Sequence, residues 1–409
     1  MLDVTAGAAT RAVGLLVIAP DGEDFVLGRP DLALYVTVPA PGAALVRALQ
    51  GGASLAEATA VAGLSAGADV DGADFLAGLA DFGLLAEPGP ATGGGGLVTG
   101  RRIRWVERIG QRAAGRLFGR VAWTGYGVAA VFVAAVLIAR PDLRPRFEDT
   151  WFLGDPALAA LIIAPVGLLL AATHELGHWL AGRALGVPVV FRVSRRGIWM
   201  VFESDLTHVV TLRRRQRYGP FLAGMAWDCS VLAAALALRL LYHADALPLP
   251  PIADRLLAVV VLTQVITLTW QVFAVFMRSD GYALAANALR CHNLYRASWL
   301  TMKDRLWRLT ATEQAELAGV SDHDRRVARW FCLGHLLGIA VNGWLLLNFG
   351  LLYAFSMALW MVNNIAGAAA TSGAFWESSA LLALLLVQVI GPPLFALRER
   401  RLRRAGVLL

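Results

Sequence analysis

Charge is what this sequence has least of. Asp, Glu, Lys and Arg make up 16% of its 409 residues, against a hydrophobic share of 57% and a mean hydropathy of +0.58. Soluble domains carry about a quarter charged residues, so an ordinary soluble protein is excluded and a membrane is the first environment to consider. Cysteine is scarce as well. Cys229, Cys291 and Cys332 are scattered and odd in number, which suggests neither a disulfide framework nor a cysteine zinc cluster. A secretory signal is missing, because Met1 to Leu34 carries Asp3, Asp21, Glu23, Asp24 and Asp31 in place of a basic start and an apolar core. The N-terminus is therefore expected in the cytoplasm. The net charge of +7 and pI near 9.8 could suit nucleic acid, but the arginines fall beside apolar spans. They read as membrane topology, and no nucleic-acid partner is expected.

What is present divides the chain into parts. Residues 1–87 read as a small α+β, winged-helix-like domain. Phe25–Leu27 and Leu34–Val38 form a hairpin, followed by helices near Ala43–Leu49, from the capping box at Ser54 to about Gly63, and over Asp71–Phe82. Residues 88–100, with their run of glycines, read as a flexible linker that tethers this domain without docking it. Residues 101–121 alternate arginines with Ile103, Val106, Ile109 and Leu117, the pattern of a basic amphipathic helix on the cytoplasmic leaflet. The rest, 122–397, is expected to be a polytopic helical membrane domain of about six spans, at 122–139, 157–181, 219–242, 256–277, 330–352 and 378–397. The stretch 353–376 is left as a re-entrant or interfacial segment. Arginine-rich loops at 183–217 and 278–329 and the basic tail 398–409 place both termini in the cytoplasm, in a multi-pass cell (inner) membrane protein embedded in the lipid bilayer.

Three ionisable residues interrupt the second span: His174-Glu175-Leu176-Gly177-His178. Four residues apart on a helix, both imidazoles share a face and can reach one zinc ion, while Glu175 sits one position on, placed to act as general base toward a zinc-activated water. Such groups are costly in an apolar helix unless paired, ligated or facing a cavity. A catalytic zinc site needs a third protein ligand, and Asp280, at the cytoplasmic end of the fourth span, lies at similar depth. The bland alternative for Asp280 is an N-cap of a helix 282–290.

These residues resemble the site-2-protease family of membrane zinc metallopeptidases over roughly 157–295. Gly186-Val187-Pro188 matches that family's turn into short strands, here Val189–Val193 and Ile198–Glu203. The resemblance implies His174, His178 and Asp280 as metal ligands, Glu175 as the catalytic residue, and Zn2+ as the cofactor. The chain departs from the family where Gly219-Pro220 is followed by no asparagine up to Asp228, so the usual substrate-binding amide is missing. Asp228 either faces the site or packs between helices. Asp280-Gly281-Tyr282 with Asn293-Leu294 resembles the branch found with ribosomally made, modified peptides, and residues 25–87 resemble its PqqD-type precursor-recognition module. That implies a precursor or leader peptide bound by residues 1–87 as an added strand, and a metallopeptidase that removes the leader.

Two other functions stay open: regulated intramembrane proteolysis of a single-span regulator, and a non-catalytic peptide-binding or export-accessory role. The oligomeric state is not legible. His208, His292 and His323 read as loop residues, His335 as a packing or hydrogen-bonding residue, and His243 as lying near the outer interface.

Overall fold

The computed structural model describes residues 12–86, 100–102, 108–196 and 199–404. The expected linker lies largely outside the described residues. The N-terminal unit is a three-stranded antiparallel meander, β1 (Val17–Asp21), β2 (Asp24–Arg29) and β3 (Leu34–Val38), covered by α1 (Ala40–Gln50), α2 (Leu55–Ala66) and α3 (Gly72–Asp81). Leu27, Val38, Val46, Leu79 and Leu84 close its core. The capping box on α2 is formed as expected, with Ser54 accepting from the Glu57 N–H. The strand β1 was not anticipated, because Pro20 and the acidic Asp21 hide it.

The unit is docked, which corrects the tethered arrangement. Asp21, with a side chain only 1% exposed, meets Arg214 at 2.8 Å, Arg217 at 3.2 Å and His292 at 3.3 Å. Tyr35 bonds His208 beside it. His208 and His292 are thus interface residues, a role their loop setting concealed. Burial alone would raise the Asp21 carboxyl. The hydrogen bonds from His292 and Arg214 and the charge of Arg217 outweigh it and hold the group well below the usual carboxylate range. A depressed carboxyl stabilises the contact above its ordinary pKa of about 3.9 and loses that contribution only as acid protonates it. Docking is therefore expected to persist through neutral and mildly acidic pH and to weaken progressively only below about pH 4. Asp21→Ala, which strands Arg217 without its carboxylate, should release the unit at pH 7, at a cost of roughly 3 kcal/mol. Faster hydrogen exchange in β1 and at the start of the helix bearing Arg217 would show this; unchanged protection would count against the latch.

Strand β4 (Gly100–Arg102) opens the second part, which corrects the single amphipathic helix expected over 101–121. Among the described residues of that range, α4 (Gln111–Leu117) is the α-helix ahead of α5 (Arg120–Ala139). The strand pairs with β5 (Val190–Arg196), which pairs in turn with β6 (Trp199–Asp205), so a three-stranded sheet forms where two of its strands were expected. Among the described residues, five helical stretches are long and apolar enough to cross a membrane: Gln111–Ala139, Pro156–Ala184, Arg214–His243, Pro251–Phe273 and Asp322–Gly367. Each exceeds the roughly 20 residues a bilayer core requires. The second to fourth are α6, α7 and α8. Short helices follow, α9 (Asp280–Ala288), α10 (Leu294–Leu306) and α11 (Ala311–Gly319).

The fifth stretch joins α12 (Asp322–Leu345) to α13 (Leu352–Gly367) through one π-helical turn at Leu346–Leu351. The expected re-entrant break at 353 is therefore absent; the backbone absorbs the irregularity by widening one turn. The expected sixth span falls on α14 (Gly373–Arg404), whose described apolar stretch, Gly373–Val387, is shorter than the other five. Packing of α6 on α7 and of α7 on α8 builds the frame of the site, with Leu232, Leu236 and Val261 fully buried between the last two.

Candidate functional site

The four-residue spacing on α6 brings His174 and His178 to one face, and both imidazoles are buried. Both rings are pinned from α7. His174 Nδ1 lies 2.7 Å from Asp228 Oδ2, and His178 Nδ1 lies 2.7 Å from the Pro220 carbonyl oxygen. A carbonyl can only accept, so His178 Nδ1 carries the proton, and an ionised Asp228 asks the same of His174. In the neutral rings both Nε2 atoms then present lone pairs. These two atoms are 3.2 Å apart, and Asp280 Oδ2 sits 3.1 Å from one and 2.9 Å from the other.

Three lone-pair atoms that close repel one another unless positive charge lies among them. The separations also suit a small ion: tetrahedral donors with bonds of 2.0–2.1 Å stand about 3.3 Å apart. His174, His178 and Asp280 are thus a group that could hold a metal. Their second contacts, to Asp228 and Pro220, have the form that orients metal-binding imidazoles.

Asp280 is not the N-cap of its helix. Ser279 takes that position without a side-chain cap, and Asp280 stands in the first turn with its carboxylate turned to the imidazoles. Gly281 makes this possible: a Cβ there would lie 2.6 Å from the Gln271 carbonyl oxygen, so only glycine lets the end of α8 approach so closely. Glu175 lies on the same cavity of about 430 Å3 as His174, Asp228 and Asp280. Its Oε2 accepts from the Ser204 N–H at 2.9 Å, which ties the carboxylate to β6.

The structure brings His174, His178 and Asp280 together with Glu175 beside them, and the groups that support them were not read from the sequence. Asp228, open between two roles, is the partner of His174, and Gln264 from α8 reaches it at 3.5 Å. A lone carboxylate on an apolar helix was the available signal. Gln271, the amide nearest the donor group at 3.5 Å from His174 Nε2, had no such signal, since a polar residue at a helix end is ordinary. Asp228→Asn keeps an acceptor but removes the charge behind His174, and metal affinity is expected to fall about tenfold, read by chelator competition.

A second donor group, Cys291, His323 and Asp324, has structural employment. Asp324 accepts from the backbone of His292 and Asn293, His323 donates to the Leu289 carbonyl, and burial with Asp324 pushes the Cys291 thiol up to about 12. His335 packs against Tyr295 and Phe331, and His243 pairs with Asp254. No family model, curated protein or solved structure matches the chain.

Proposed function

We propose that this protein is a membrane-embedded zinc metallopeptidase that removes the leader from a ribosomally made, modified peptide, with both termini cytoplasmic and α14 completing the spans. The observation that carries this reading is the convergence of two imidazole Nε2 atoms and one carboxylate oxygen within 2.9–3.2 Å, beside a cavity that Glu175 shares. His174, His178 and Asp280 would hold the ion, which when bound supplies Lewis acidity and brings the pKa of water toward about 7.

The chain's own groups do the rest. Glu175 takes the proton of the attacking water and returns it to the leaving amine as the peptide C–N bond breaks. The Ser204 N–H holds its Oε2 in place. Asp228 and Pro220 keep both imidazoles in the tautomer that offers Nε2. Gln271 Nε2, facing the donor group, is the amide placed to bind a substrate carbonyl where the family's asparagine is missing. The N-terminal unit captures the precursor. The test is metal analysis and precursor cleavage with purified protein in detergent. About one zinc per chain and a single cut between leader and core support the reading, and a preparation that binds no zinc when zinc is supplied defeats it.

One observation favours a second reading, cleavage within a single-span membrane protein. An apolar cleft of about 370 Å3 lies between α8 and the π-helical turn, and Thr263, Thr267 and Trp270 line both it and the site cavity. Asn342 on its wall has an Oδ1 with no partner among the described residues. Cleavage of a single-span peptide in preference to a soluble precursor would favour this reading over the first.

A further inference from the structure

We propose that a cleft at the start of α5 and of α7 binds the headgroup of an anionic phospholipid, gripped by Arg120 and Arg215. This rests on the membrane setting of the chain and not on its peptidase chemistry. The cleft measures about 520 Å3 and lies where the first turns of α5 and α7 meet the end of α6. Arg120 and Arg215 both line it, both are exposed, and neither pairs with a carboxylate among the described residues. Comparable arginines are already neutralised. Arg214 and Arg217, which flank Arg215 in sequence, are taken up by Asp21, and Arg140 beyond the far end of α5 pairs with Asp142 at 2.7 Å. A cleft at the start of α12 gathers Arg325, Arg326 and Arg329 but adds Asp304 and Asp322, and Arg325 bonds the latter. No carboxylate lines the cleft of Arg120 and Arg215 among the described residues. Two guanidinium groups in one recess repel each other until an anion joins them, and the planar fork of each matches a pair of phosphate oxygens.

Depth and apolar surroundings select a lipid over a free anion. Helix α5 has 20 residues, a length of about 30 Å, with no charged side chain between Arg120 and Arg140. That length matches the hydrocarbon core, so its two flanking arginines fall in the two headgroup layers. Trp123 and Tyr218 line the cleft beside the guanidinium groups, and both residue types favour the boundary between headgroups and chains. Trp123 is held there by Phe118 and Tyr126, with ring centroids 6.0 and 5.4 Å away, so this wall is already formed. Leu185 and Leu222 make another side of the cleft apolar. Val121, Val128 and Val131 continue exposed along α5, at a spacing that keeps them on one side of the helix. A free phosphate would leave these surfaces unused. A phospholipid meets all of them, with its phosphate on the arginines, its glycerol beside the aromatic rings and its chains along the valines. Arginines that served topology alone would need no cleft.

The test is native mass spectrometry of the full-length protein, released from detergent after titration with phosphatidylglycerol or with zwitterionic phosphatidylcholine. One phosphatidylglycerol is expected to be retained about tenfold or more tightly than phosphatidylcholine. Arg120→Gln with Arg215→Gln should raise its Kd about tenfold or more. Arg326→Gln with Arg329→Gln removes the same charge from the start of α12 and should change that Kd less than about twofold. Arg120→Lys with Arg215→Lys keeps both charges and should recover most of the binding, since lysine holds phosphate as a point charge. Exposed side chains without a carboxylate partner are replaced at little cost to folding. Should the glutamine pair nevertheless lower the unfolding temperature, the single variants Arg120→Gln and Arg215→Gln take its place, each expected to raise Kd about threefold or more. Glycerol phosphate, which has the headgroup chemistry without the chains, is added in a hundredfold excess and is expected to leave the lipid bound. Equal retention of the two lipids overturns the proposal, as does an equal loss from both glutamine pairs, which would mean attraction by net charge alone. Displacement by glycerol phosphate overturns it too, because the cleft would then serve a soluble phosphate.

Discussion

Glu175→Gln is expected to bind zinc as the wild-type protein does and to cleave peptide roughly a thousandfold more slowly. The replacement conserves shape, and its amide oxygen can still accept from the Ser204 N–H that holds Glu175 Oε2 at 2.9 Å. No ligand atom is touched, since the converging donors belong to His174, His178 and Asp280. What disappears is the ability to take up a proton and hand it on, a contribution of about 10²–10⁴ in rate. The measurement is metal analysis beside single-turnover cleavage of the precursor. Cleavage within tenfold of wild type, with zinc retained, would remove Glu175 from the role of base, and a metal site without a base would then read as structural. Loss of zinc in this variant would instead mean that the carboxylate belongs to the donor set.

The site was legible because its chemistry is local. His174 and His178 are four residues apart on one helix, and two imidazoles with a carboxylate in an apolar segment demand an explanation at once. Asp280 was reachable through its expected depth alone, just past the end of the fourth expected span. The supports were not legible, since each arises from tertiary packing: the Pro220 carbonyl that fixes His178 and the Ser204 N–H that fixes Glu175 are backbone groups any residue could supply. The fold shows the same division. Helices with strong apolar runs were placed well, and the strands at Val189–Val193 and Ile198–Glu203 correspond to β5 and β6. Strand β4 is three residues long and exists by pairing with β5, so its arginines read as helix in isolation. Docking of the N-terminal unit turns on Asp21, one of five acidic residues in that stretch, and nothing local marks it as the one that becomes buried against Arg214 and Arg217.

Gly224→Ala should empty the proposed metal site although position 224 contributes no ligand. A Cβ there would stand 2.4 Å from His178 Nε2 and 2.5 Å from His174 Cε1 and Nε2, well inside any contact real atoms make. The rings cannot yield cheaply, because their far nitrogens are tied to Asp228 and to the Pro220 carbonyl on the same helix that carries Gly224. Relief requires either breaking those bonds, which turns the Nε2 atoms away from Asp280, or prising α6 from α7, at about 1–3 kcal/mol for an overpacked methyl. Both routes separate the three donors. Zinc bound after dialysis is expected to fall below about a tenth of the wild-type amount, since a displaced ligand forfeits its share of the binding energy, and cleavage should fall with it. Gly219→Ala on the same helix is the control, because its Cβ would meet only Trp123 at an ordinary 3.7 Å and zinc should be retained. If Gly224→Ala binds zinc as tightly as the wild type, the imidazoles do not converge over α7, and the donor group must be sought elsewhere.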